Sequence, residues 1–218
     1  MIASANQAVF DRQVCGWTLV VGAALSVAGM LHHPSAGGHG MAAVENLARI
    51  GSASNGVHGF LMVVLVALVF GFSGLTNQLG WQTPAARAGF VAYAMGAMAM
   101  LGAAVINGFV FSKVAGGFLA QGHSDPLLID AIFSALGAMS GTWAQVAVGA
   151  QAFAFALWAI ALRSRNRPLA VLGGVTAIPV FGAMFGLFSL DVYGYLGVVT
   201  AQAVWIAAIG VALIRGKV

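Results

Sequence analysis

Six long apolar stretches, at about 16–33, 56–75, 88–111, 140–162, 169–188 and 194–214, alternate with short polar breaks along the 218 residues. Each is near the length, about 20 residues, that an α-helix needs to cross about 30 Å of hydrocarbon. The breaks carry loop chemistry: His33 to Gly38, Gly80 to Pro84, Arg163 to Pro168 and Asp191 to Gly194 are rich in glycine, proline and polar residues. The pattern predicts an all-α integral membrane protein, a six-transmembrane-helix bundle with short loops, forming a single membrane domain over residues 1–218.

Two connecting segments are more than turns. Met41, Val44, Leu47 and Ile50 stand three residues apart, opposite Glu45, Asn46 and Arg49. This spacing predicts a short amphipathic helix over about 41–52, lying in the interface or capping the bundle. Ser124-Asp125-Pro126 reads as a helix start with proline in the first turn. The helical pattern then runs unbroken to Leu162, long enough to project beyond the bilayer and carry Asp130 outward.

Lysine and arginine set the expected orientation. Arg12, Arg87, Arg163, Arg165, Arg167, Arg215 and Lys217 fall on one side of the six spans, and Arg49 and Lys113 on the other. The positive-inside rule then places both termini in the cytoplasm and the chain in the cytoplasmic (inner) membrane. All five histidines fall on the extracytoplasmic side, with Glu45, Asp125, Asp130 and Asp191.

Composition agrees with this class. Hydrophobic residues make up 61% and charged residues 6%, against about a quarter charged in a soluble domain. The net charge of +4 comes from scattered basic residues rather than a stripe, so nucleic acid is not an expected partner; the expected partner is the lipid bilayer. Cys15 is the only cysteine, which excludes an intrachain disulfide and any site built on several thiolates. Asp11 and Arg12 precede the first apolar run, and no small-x-small site follows it, so that span is expected to be retained. Gly89, Ala92, Gly96, Ala99 and Ala103 share one face of the third span, and Gly137 and Gly141 one face of the fourth. Such small-residue seams let helices approach closely, within one chain or in a homo-oligomer. Pro179 is expected to kink the fifth span.

Polar residues inside spans are costly and therefore informative. His58, Asn107, Thr142, Gln145, Tyr193, Tyr195, Thr200 and Gln202 all fall in outer halves, with Gln151 near mid-depth. The inner halves hold little beyond Thr18, Ser73 and Thr176, hydroxyls that bond their own helix backbone. The expected shape is an outward-facing polar pocket above a dry floor, with Asn107, Gln145, Gln202 and Tyr195 as candidate ligand-binding residues. The alternative is that these side chains bond one another across helices.

The histidines allow three readings. The first is a metal site, for which His33, His39, His58 and Glu45 form the candidate ligand set. Cu or Zn would be the ion, with Met30, Met41 and Met62 as soft ligands for Cu(I) and His123 as an outer addition. The second is haem b, with His33 and His58 as axial ligands. The third is that they are interfacial loop residues without a ligand, the best account of His32 and of His123. Catalysis has only His123, Asp125 and Asp130 as a conceivable acid–base set, and no nucleophile, zincin or phosphate-loop motif is present. The sequence thus favours a binding or redox protein holding a metal, haem or small ligand at the outer rim. A small-solute transporter using the same pocket, or a non-catalytic accessory subunit, are the alternatives.

Overall fold

The computed structural model describes residues 2–35, 37–122, 125–187 and 191–218, with side chains from residue 7 onward. Among them the chain forms seven α-helices and no strand: α1 (Ile2–Leu31), α2 (Gly40–Leu79), α3 (Pro84–Val105), α4 (Phe111–Gln121), α5 (Pro126–Leu162), α6 (Arg167–Met184) and α7 (Val192–Ile214). A single π-turn, Ile106–Val110, joins α3 to α4, so the two run as one rod. Six helical segments are long and apolar enough to cross a membrane, which makes this a multi-pass membrane protein.

The rods form a closed ring in chain order. α1 packs on α2, α2 on α3, α3 on α5, α5 on α6, α6 on α7, and α7 returns to α1. The helix starts follow from local chemistry. Asp125 accepts a hydrogen bond from the Leu127 N–H at 3.0 Å just before Pro126, as the sequence pattern predicts. Asn166 and Asp191 cap α6 and α7 in the same way. Pro179 lies inside α6.

Two expectations need correction. The 41–52 segment is not a separate interfacial helix but the first part of α2, which runs 40 residues without a break through Gly51-Ser52-Ala53-Ser54-Asn55-Gly56. At about 1.5 Å per residue that is about 60 Å, roughly twice the hydrocarbon thickness. Its apolar face packs against α4 and the start of α5: Val44, Ala115, Phe118 and Ile129 form a small core of their own, with Phe111 and Phe133 stacked beside it. The three rods therefore extend past the bundle as a helical crown. The second correction concerns the proposed α5 seam. Gly137 and Gly141 have no neighbour within 4 Å of where a Cβ would stand, whereas Gly89 and Gly96 of α3 press against Trp158 and the Ala147 carbonyl of α5. Only the α3 seam is a close contact.

Seven of the nine basic residues, all but Arg49 and Lys113, lie toward the end opposite the crown. Arg165 donates to the Gln78 and Leu79 carbonyls at the end of α2, and Asn166 donates to the Lys217 carbonyl. Just inside this end the ring is filled by Phe72, Tyr93, Phe155, Trp158 and Trp205, all buried. Phe72 stacks on Trp158 at 4.5 Å between centroids, and Phe155 meets Trp205 at 4.7 Å. Both indole N–H groups are satisfied, by the Ala86 and Leu169 carbonyls. Each ring pair adds about 0.5–1.5 kcal/mol beyond its buried area, so this end is a firm plug.

Candidate functional site

The π-turn is where the site begins. Gly108 lies within it, and a Cβ there would stand 2.5 Å from the His58 Cβ, so glycine is what allows α2 to come this close. The Asn55 amide, with its nitrogen toward the carbonyls of Gly51 and Gly108, ties α2 to the same turn. π-turns recur at functional sites because they shift backbone and side chains out of helical phase.

His58 is buried and held from its own helix: its Nδ1–H donates to the Ser54 carbonyl at 2.9 Å. That bond fixes the tautomer and leaves the Nε2 lone pair free. His33, in the segment after α1, places its Nε2 3.1 Å from the His58 Nε2, with the ring centroids 4.7 Å apart and nearly perpendicular. In the neutral pair the His33 Nε2–H donates to His58, and the buried His33 Nδ1 is without a hydrogen-bond partner. Burial holds the His33 imidazole below the ordinary histidine range, and His58 adds to this while the Pro34 backbone opposes it.

The pair stands on a partly open cavity of about 530 Å³ lined by every rod of the ring except α6. Leu47, Ile50, Leu61, Leu65 and Leu68 supply apolar wall; Pro34, Ser35 and Asp191 border it at the end away from the arginines. Tyr93 and the Gln151–Gln202 pair line it on the plug side, with the Gln202 amide donating to Gln151 Oε1 at 2.9 Å. Tyr195 also lines the cavity, and its buried hydroxyl lacks a hydrogen-bond partner.

The residues singled out from the sequence divide clearly. His33, His58, Asn107, Gln202 and Tyr195 all line the cavity. Gln145 does not: it is exposed on another face of α5, and Gln151 occupies the inward position instead. His39 and Glu45 are not brought to the histidine pair. His39 is an exposed residue at the start of α2, and Glu45 is exposed thirteen residues before His58. On one continuous helix that separation is about 20 Å. Among the described residues no group of three or more His, Cys, Asp or Glu side chains gathers. The expected ligand set thus reduces to His33 and His58. His123 lies outside the described residues, and His32 is exposed, bonded to the Ala28 carbonyl. For haem, two trans imidazoles on one iron need about 4 Å between nitrogens, twice a metal–nitrogen bond of about 2 Å. The 3.1 Å pair must open to accept one.

Ser54, Asn55, Gly108 and Gln151 were not among the candidates. Ser54 and His58 are spaced i, i+4 and become legible as neighbours once α2 is read as continuous. The chain has no match among family models, curated proteins or solved structures.

Proposed function

We propose that this is a binding protein of the cytoplasmic membrane, with both termini inside, that holds one small ligand in an outward-facing cavity. The orientation rests on the seven-to-two distribution of basic residues across the two ends. The ligand reading rests chiefly on one observation. A largely apolar cavity of about 530 Å³ is lined by His33 and Tyr195, two residues that each carry a buried polar atom without a partner, Nδ1 and Oη. Each such group costs about 1–3 kcal/mol when left unpaired. A ligand toward which the His33 ring or the Tyr195 hydroxyl turns recovers that energy, while its apolar body lies against the leucine walls. The volume suits a drug-sized molecule.

The aromatic plug argues for binding over conduction, since a path through the bundle requires polar relays at every depth. The test is native mass spectrometry of the protein extracted in mild detergent. The expected result is one small molecule per chain, lost when the cavity is filled by Ala203→Phe and kept when the lipid-facing Ile178 is changed to Phe. A chain without adduct in every extraction, or an adduct indifferent to Ala203→Phe, contradicts the reading.

A further inference from the structure

We propose that His33 and His58, together with Met30 and Met62, form a binding site for a single monovalent copper ion at the mouth of the cavity. The inference goes beyond the ligand reading and does not depend on it. Its first support is convergence: two imidazole nitrogens stand 3.1 Å apart, edge to edge, across two different elements. With metal–nitrogen bonds of about 2 Å, that spacing subtends about 100° at a shared ion, close to the tetrahedral angle. A linear or trans arrangement needs a wider gap.

The second support is the orienting bond. The His58 Nδ1–H donates to the Ser54 carbonyl, the arrangement that points the opposite nitrogen of a metal-bound imidazole at its ion. The third is what accompanies the pair. No third His, Cys, Asp or Glu joins it among the described residues. Each histidine instead has a thioether three or four residues away in the sequence. Met30 lies one turn before His33, whose N–H bonds the Met30 carbonyl at 3.2 Å. Met62 lies one turn beyond His58 on α2. Both methionines line the same cavity as the histidines.

Two imidazoles and two thioethers are neutral and, in the case of sulfur, soft; they select Cu(I) over Zn(II) or Mg(II). A neutral ligand set in an apolar wall also favours the ion with the smallest charge, because the burial penalty of a divalent ion goes uncompensated.

The test is anaerobic titration of the detergent-solubilised full chain with Cu(I) in competition with bicinchoninate, followed by X-ray absorption. The expected result is one copper per chain in a mixed nitrogen and sulfur shell. His33→Ala and His58→Ala should each weaken Cu(I) binding at least tenfold. Met30→Leu and Met62→Leu, which conserve volume, should weaken Cu(I) several-fold and leave Zn(II) binding unchanged. Because His58→Ala alters a packed contact, His33→Ala and Met30→Leu carry the decision if that variant does not fold. Absence of Cu(I) binding above the micelle blank overturns the proposal. So does binding indifferent to both His33→Ala and Met30→Leu, or a shell of nitrogen and oxygen alone.

Discussion

The two ends of the ring are built from the same six rods yet differ in what fills the middle. Toward the arginines, Phe72, Phe155, Trp158 and Trp205 meet at the axis and leave no space. Toward the crown, the inward positions of the third and fourth spans are Ala103, Ala104, Gly137, Gly141 and Ala144, and a cavity of about 530 Å³ remains. Helix packing sets the ring; side-chain volume decides where it is solid. In lipid this matters doubly, because close packing and hydrogen bonds carry helix association there rather than release of water. The plug is the stabilising half, and the cavity is where packing is given up.

That contrast is broken most forcefully at the plug. Phe72→Ala removes the ring that touches Tyr93, Phe155, Trp158 and Trp205. It should destabilise the bundle by about 3–5 kcal/mol in a reversible detergent-unfolding titration. Next comes the seat of His58. Gly108→Ala places a methyl group 2.5 Å from the His58 Cβ; a loss of about 1–3 kcal/mol is expected by the same titration, with the His33–His58 contact disrupted in the imidazole NMR signals.

On the cavity side the effects are smaller and fall on binding. Tyr195→Phe removes a hydroxyl that has no partner within the protein, so folding stability should hold while retention of the co-extracted ligand weakens about three- to tenfold, as one lost hydrogen bond implies. Gly141→Ala enters open space on a helix and should stabilise thermal unfolding by about 0.5–1 kcal/mol, where Gly96→Ala, facing the Ala147 carbonyl at 2.9 Å, should destabilise it.

The number of the spans was readable because about twenty apolar residues between arginines and turn residues have one physical solution in a bilayer, whereas several helices start well before their apolar stretch. The Asp125–Pro126 start was readable for the same kind of reason: the capping chemistry is local. Residues 51–56 misled because glycine, serine and asparagine break helices in water. Here Gly51 instead presses against Ser112 of α4, and Asn55 bonds the π-turn. Small and polar residues serve as contact and glue between membrane helices. Gln145 and Gln151 were not separable because α5 is apolar nearly all round and gives no phase from which to infer its inward face. The meeting of His33 with His58 spans 25 residues and depends on where α1 ends against α2. Periodicity carries no information about that register.

Cysteine accessibility in intact cells tests the central claim most directly. With Cys15 changed to Ser, Gly141→Cys places a thiol on the cavity wall, and Ala170→Cys places one in the packed half. A membrane-impermeant maleimide added outside should label position 141 and spare position 170, with labelling slowed by the co-extracted ligand. Labelling of position 141 only after the cytoplasmic face is exposed would contradict an outward-facing cavity closed by the aromatic plug.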